Sequence, residues 1–154
     1  MRIEDPDVPG DWWASGLAGS KALYEFFGRR PVSLEGAMCT KMHFEPFPRA
    51  LWTIIELSGV PDPIPRNWSD WGYDAVCLRM GFLACRDVRA EGTLPITGCS
   101  VALTPVCEST HLHLQSNDFE LELTSTIASV LWFQSFTRGD RSTADRLHLS
   151  LKHA

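Results

Sequence analysis

The sequence predicts a mainly β, α+β protein: an antiparallel sandwich or partly closed barrel of about eight strands with one short N-terminal helix. Three observations lead there. Apolar and polar residues alternate in one segment after another from Met38 onward, the period of a half-buried strand. Turn residues bound these segments, as Pro46 and Pro48 do, or Ser116-Asn117-Asp118. A 3.6-residue spacing of large apolar side chains occurs once, near the N-terminus.

That helix is read over Ser20–Phe27. Leu23, Phe26 and Phe27 fall at i, i+3 and i+4 on one face, and Ser20 is placed to accept from a first-turn amide. Gly28 stands where a left-handed residue ends a helix, Arg29 and Arg30 follow at the negative pole, and Pro31 forbids continuation. Two turns are unstable alone in water, so the aromatic face must dock on the sheet.

The strands follow in order. Met38, Thr40, Met42 and Phe44 alternate with Cys39, Lys41 and His43. Ala50–Ser58 is apolar on both faces and reads as a central strand covered on both sides, with the helix as one cover. Residues 59–73 hold three spaced prolines and read as an irregular loop held by Trp68, Trp71 and Tyr73. The AVCLRMGFL segment turns Val76, Leu78, Met80 and Phe82 inward, and Val88 leads to a turn at Glu91-Gly92. SVALTPV is the next strand. His111–Ser125 is the clearest hairpin: Leu112 and Leu114 face in on one arm, and Phe119, Leu121 and Leu123 on the other. ASVLWFQSF is read as a separate strand, TRGDRSTAD as a polar loop and RLHLSL as a final strand. No repeat or linker divides the 154 residues, so one domain is expected.

Composition narrows the function. Hydrophobic content of 44% and charged content of 21% are ordinary for a globular chain. A net charge of −5 argues against direct nucleic-acid binding and suits a basic partner. No apolar run is long enough for a membrane helix, and the acidic start lacks a signal-peptide pattern, so a cytoplasmic location is expected. The five cysteines, Cys39, Cys77, Cys85, Cys99 and Cys107, show no C-x-x-C pair and read as small buried hydrophobes with free thiols.

No catalytic constellation is visible. There is no G-x-S-x-G elbow and no phosphate-cradling glycine loop, so no enzyme activity, catalytic residue or cofactor is expected. Arg138-Gly139-Asp140 reads as a turn, and Asn67-Trp68-Ser69 as an unused glycosylation triplet. His111 and His113 share one strand face with two glutamates across the hairpin. They read as solvated histidines beside carboxylates, without a metal, because no further ligand is marked. The alternative function is a small-ligand-binding β-protein or small enzyme with a pocket near His111 and His113.

The succession of a helix ending in Phe26-Phe27-Gly28, then Pro31 and Ser33-Leu34-Glu35, the loop closing on Pro65-Arg66-Asn67-Trp68, the VCLRMGF strand and Cys85-Arg86-Asp87-Val88 resembles the bacterial immunity proteins of polymorphic toxin systems, in particular immunity protein 50. The likeness runs roughly from Ala22 to Phe136. Arg30 and Leu34-Glu35-Gly36 stand where that family carries a tryptophan and an aromatic-His-Asp run, so no functional residue is carried over. The resemblance implies a small cytosolic β-rich protein that binds and neutralises a cognate toxin. The residues add a place for it. Asp118, Glu120 and Glu122 form an acidic hairpin face that suits a basic, nuclease-type toxin, and Trp68 and Trp71 supply aromatic anchors.

Overall fold

The computed structural model describes residue 2 and residues 5–93 and 98–138. Six strands and two short helices occur among them: α1 Ser20–Phe26, β1 Met38–Glu45, β2 Ala50–Leu57, α2 Asn67–Trp71, β3 Ala75–Gly92, β4 Cys99–Val106, β5 Ser109–Gln115 and β6 Phe119–Phe136. Every strand pairing is antiparallel, and the order β1-β2-β3-β6-β5-β4 closes into a barrel. The mainly β class therefore holds, in its barrel form. Among the described residues, β1 meets β4 through two opposed pairs, Met38 with Ser100 and Cys39 with Cys99.

Among the described residues the count is six, because the hairpin arm from Phe119 and the ASVLWFQSF segment are one strand and the RLHLSL segment falls outside them. β3 also runs on past Leu83 to Gly92. Both long strands carry register shifts that interrupt the alternation. On β3, Ala84 and Asp87 sit at φ 51° and 53°, so residues there step out of the period of two. On β6, the Ser125 hydroxyl turns back to donate to the main chain, with the carbonyls of Leu83 and Ile127 at 2.8 and 2.7 Å. The TRGDRSTAD loop beyond Arg138 and the RLHLSL strand lie outside the described residues.

Inward positions follow the pattern closely. Leu51, Ile55, Leu57, Val76, Leu78, Met80, Phe82, Leu112, Leu114 and Leu123 are all buried in one core. A six-stranded barrel is narrower than the eight-stranded kind, whose interior side chains alone can fill it. Here large aliphatic and aromatic residues occupy that space. The N-terminal segment adds Val8, Trp12, Ala14 and Leu17 to the same core. It is held by the indole N–H groups of Trp12 and Trp13, which both donate to the Val32 carbonyl at 2.9 and 2.7 Å. Ala18 forms a parallel bridge to Ser129 on β6.

The helix stop is as expected. Gly28 at φ 70° donates to Glu25, and Arg29 donates to Tyr24, which together form a Schellman motif. The start is different. The N-cap is Gly19 in the left-handed region, and Ser20 is buried inside the first turn without capping it. The helix docks on β6, where the Phe26 ring lies 4.9 Å from Phe133, and it does not cover β2. The outer side of β2 has its own cover, a small cluster in which Ile54 packs with Ala75, Cys77, Trp132 and Phe136. The 59–73 segment is not wholly irregular, since α2 forms within it.

Candidate functional site

The β5–β6 hairpin brings the most chemistry together. Leu112 and Leu114 face the core, so His111 and His113 face outward, two residues apart on one strand. Leu121 and Leu123 do the same for β6, leaving Glu120 and Glu122 on the outer face. Register then sets the neighbours. His113 stands opposite Glu122 and His111 opposite Thr124. On the other flank, β3 places Glu91 opposite Glu120 and Arg89 opposite Glu122. Four carboxylates, counting exposed Asp118 at the turn, thus share one surface with one arginine and two histidines.

The side chains meet. His113 Nε2 is 3.2 Å from Glu120 Oε1 and 3.9 Å from Glu122 Oε1, and His111 Nε2 is 3.9 Å from the same Glu122 oxygen. His111 Nδ1 lies 3.4 Å from the Thr124 hydroxyl. Ligand atoms of His113, Glu120 and Glu122 all fall within 4.8 Å of one another. His113 Nε2 is shut off from solvent and makes no aligned hydrogen bond, although Glu120 Oε1 lies 3.2 Å away. Glu120 and Glu122 are half-buried rather than freely solvated.

The two tryptophans do not join this surface. Trp68 is buried and donates its indole N–H to Ser135 at 2.9 Å, so it anchors its own loop and is not available to a partner. Trp71 is 68% exposed and stacks on Tyr73, with ring centroids 6.5 Å apart. Both sit at the Ser135–Thr137 end of β6, where Thr137 donates to Gly72. Glu120 is at the opposite end, up to about 50 Å away along an extended strand. The sequence placed tryptophans and carboxylates in one interface, and the register of β6 separates them.

Two grooves adjoin the hairpin. One, of about 620 Å³, runs between the Leu34–Met38 segment, Ser100, Val101 and the Gln115–Asp118 turn. The other, of about 330 Å³, lies between Arg89, Glu91, Glu120 and Glu122. Neither of these two grooves is lined by His111 or His113.

The cysteines divide. Cys39, Cys77, Cys85 and Cys99 are buried, and Cys107 is exposed at φ 54° in the β4–β5 turn, against the expectation that all five are core residues. Burial pushes the Cys39 and Cys77 thiols up to about 12. For Cys85 and Cys99 burial again pushes the thiol upward. All five are free thiols. The buried four have the inert, protonated character of structural cysteines.

Glu91 and Arg89 are the site residues that sequence reasoning missed. A turn at Glu91-Gly92 would have taken them out of the sheet. The extension of β3 puts them beside Glu120 and Glu122, and only long-range register carries that signal. No helix among the described residues is long and apolar enough to cross a membrane. Comparison with protein-family models, curated proteins and solved structures found no match.

Proposed function

We propose that this chain is a binding protein of the immunity type, which neutralises a toxin by covering a basic surface of that toxin in the cytoplasm. The observation that carries the reading is the placement of Glu91 opposite Glu120. It gathers Asp118 of the turn, Glu120 and Glu122 of β6 and Glu91 of β3 on one outer face, with Arg89 as the opposing charge. Like charges placed side by side on a sheet cost stability. A basic partner turns that cost into attraction and speeds encounter. The filled barrel interior favours recognition on the outside over ligand binding within. The interface is committed to this hairpin and the end of β3, without Trp68 or Trp71.

The experiment is co-expression with the toxin encoded beside the gene, scored by cell survival, followed by affinity measurements on the purified pair. Survival should depend on this chain. The double charge reversal Glu91→Lys with Glu120→Lys should weaken binding at least tenfold at low salt and by less at high salt, as screening predicts. Death despite co-expression overturns the immunity reading. Survival with unchanged affinity in the folded double variant removes this face from the interface.

A further inference from the structure

We infer that the outer face of the β5–β6 hairpin is a binding site for a divalent transition cation of the zinc class, held by His113, Glu120 and Glu122 with His111 as the fourth ligand. The inference is independent of the toxin reading and needs no partner.

Geometry supports it first. Zinc bonds imidazole nitrogen and carboxylate oxygen at about 2.0–2.2 Å, so tetrahedral ligands stand about 3.3–3.6 Å from one another. The separations here are 3.2 Å between His113 Nε2 and Glu120 Oε1, 3.9 Å between His113 Nε2 and Glu122 Oε1, and 3.9 Å between His111 Nε2 and Glu122 Oε1. His111 Nε2 meets the other donors at the Glu122 oxygen. Three of them already lie within 4.8 Å of one another.

The second support is an unmet need. His113 Nε2 is excluded from water, faces two carboxylates and has no aligned hydrogen bond. A nitrogen so placed costs free energy unless something fills the space between it and the oxygens. A cation does so and offsets the repulsion of Glu120 and Glu122 as well.

The third support is presentation. His111 Nδ1 faces the Thr124 hydroxyl, which orients the ring and leaves Nε2 for the ion, the arrangement that surrounds metal-bound histidines. The four donors come from β5 and β6, each hydrogen-bonded to a neighbour on both sides over this stretch, so the backbone is fixed. Opposite His113 on β4 stands Ala102, whose short side chain leaves the outer approach open. Two imidazoles in the set favour zinc, cobalt or nickel over magnesium and calcium, which take oxygen ligands.

The test is titration of the purified full chain with zinc against a chelating indicator, in a reductant that does not bind metal. One equivalent should bind at micromolar affinity or tighter. Cobalt should give the visible spectrum of a tetrahedral nitrogen–oxygen site without a thiolate charge-transfer band. His113→Ala and Glu122→Gln should each weaken binding at least tenfold while remaining folded by circular dichroism. Cys107→Ser, at the one exposed thiol, should change nothing. Absence of saturable binding in the folded parent overturns the site, as does a thiolate band, or affinity that survives His113→Ala and falls with Cys107→Ser. If either hairpin variant unfolds, His111→Ala reads the same ligand set from the outer edge, and unchanged affinity there removes the fourth ligand. Partner assays run in chelator keep this result separate from the toxin experiment, because a bound cation would neutralise two of the carboxylates that the partner reads.

Discussion

Replacing Phe27 by alanine tests whether the short helix is fastened to the barrel by its C-terminal aromatic pair. Phe27 is 3% exposed and belongs to the main core, and its ring meets Phe26 edge-on at 5.6 Å. Truncating a ring so buried costs about 3–5 kcal/mol, because the cavity cannot collapse fully. Phe26 is only partly buried and leans on Phe133, so its truncation should cost about 1–2 kcal/mol, mainly the lost ring pair and some apolar area. Phe47 is 90% exposed and should cost under about 0.5 kcal/mol. A domain of this size unfolds with an entropy near 0.3 kcal/mol/K, so these become falls in Tm of about 10–15 °C, about 3–6 °C and under about 2 °C. Thermal melts followed by far-ultraviolet circular dichroism, with urea titration to check that m is unchanged, read all three. A Phe27→Ala melt within about 2 °C of the parent, or a Phe26 variant less stable than the Phe27 variant, refutes the docking described here.

The cysteines give two further predictions. A thiol reagent on the native protein should label Cys107 quickly and the other four only on unfolding, for a total of five; rapid native labelling of more than one contradicts the burial pattern. Stability should also fall on the alkaline side. The Cys39 and Cys77 thiols are raised from 9.0 to about 12 in the folded chain, so the unfolded chain releases protons first as pH rises. Their contribution is complete below pH 9.0 and is lost as pH climbs toward about 12, at up to about 1.4 kcal/mol per pH unit for each thiol. Denaturant titrations between those limits should show a shallower decline in Cys39→Ala than in the parent, and parallel declines would count against it.

What could be read from the chain alone tracks how local the cause is. The hairpin at Ser116-Asn117-Asp118 was legible because Leu112, Leu114, Leu121 and Leu123 alternate without a break and all four are buried. The helix stop was legible because Gly28 meets a purely local demand, positive φ, at a place where an added side chain would also collide with the Asp62 carbonyl. The cap differs from the expectation because Gly19 supplies a left-handed backbone conformation there and the Ser20 hydroxyl makes no cap. The lengths of β3 and β6 were hidden by bulges, which look like strand ends in a pattern of period two. At the candidate site, the His-x-His and Glu-x-Glu spacings were visible, but Glu91 beside Glu120 depends on a pairing across 29 residues of chain. The exposure of Cys107 depends on the turn that carries it, and the burial of Trp68 on a hydroxyl 67 residues away.

Among the described residues, β1 and β4 meet through two opposed pairs, the shortest pairing between neighbouring strands of the ring. Everywhere else, opening the sheet breaks a ladder several residues long. Here, four residues release two strand edges at once, and Met38, 45% exposed, already lies at that boundary. Of the pairings described, this one opens with the fewest pairs lost, with the rest of the sheet intact. Amide protons at Cys39 and Cys99 should exchange far sooner than those of the buried stretches of β3 and β6, although both cysteines are themselves buried. A chain caught in that state would offer a second copy two ready edges, so pairing between copies should rise with concentration.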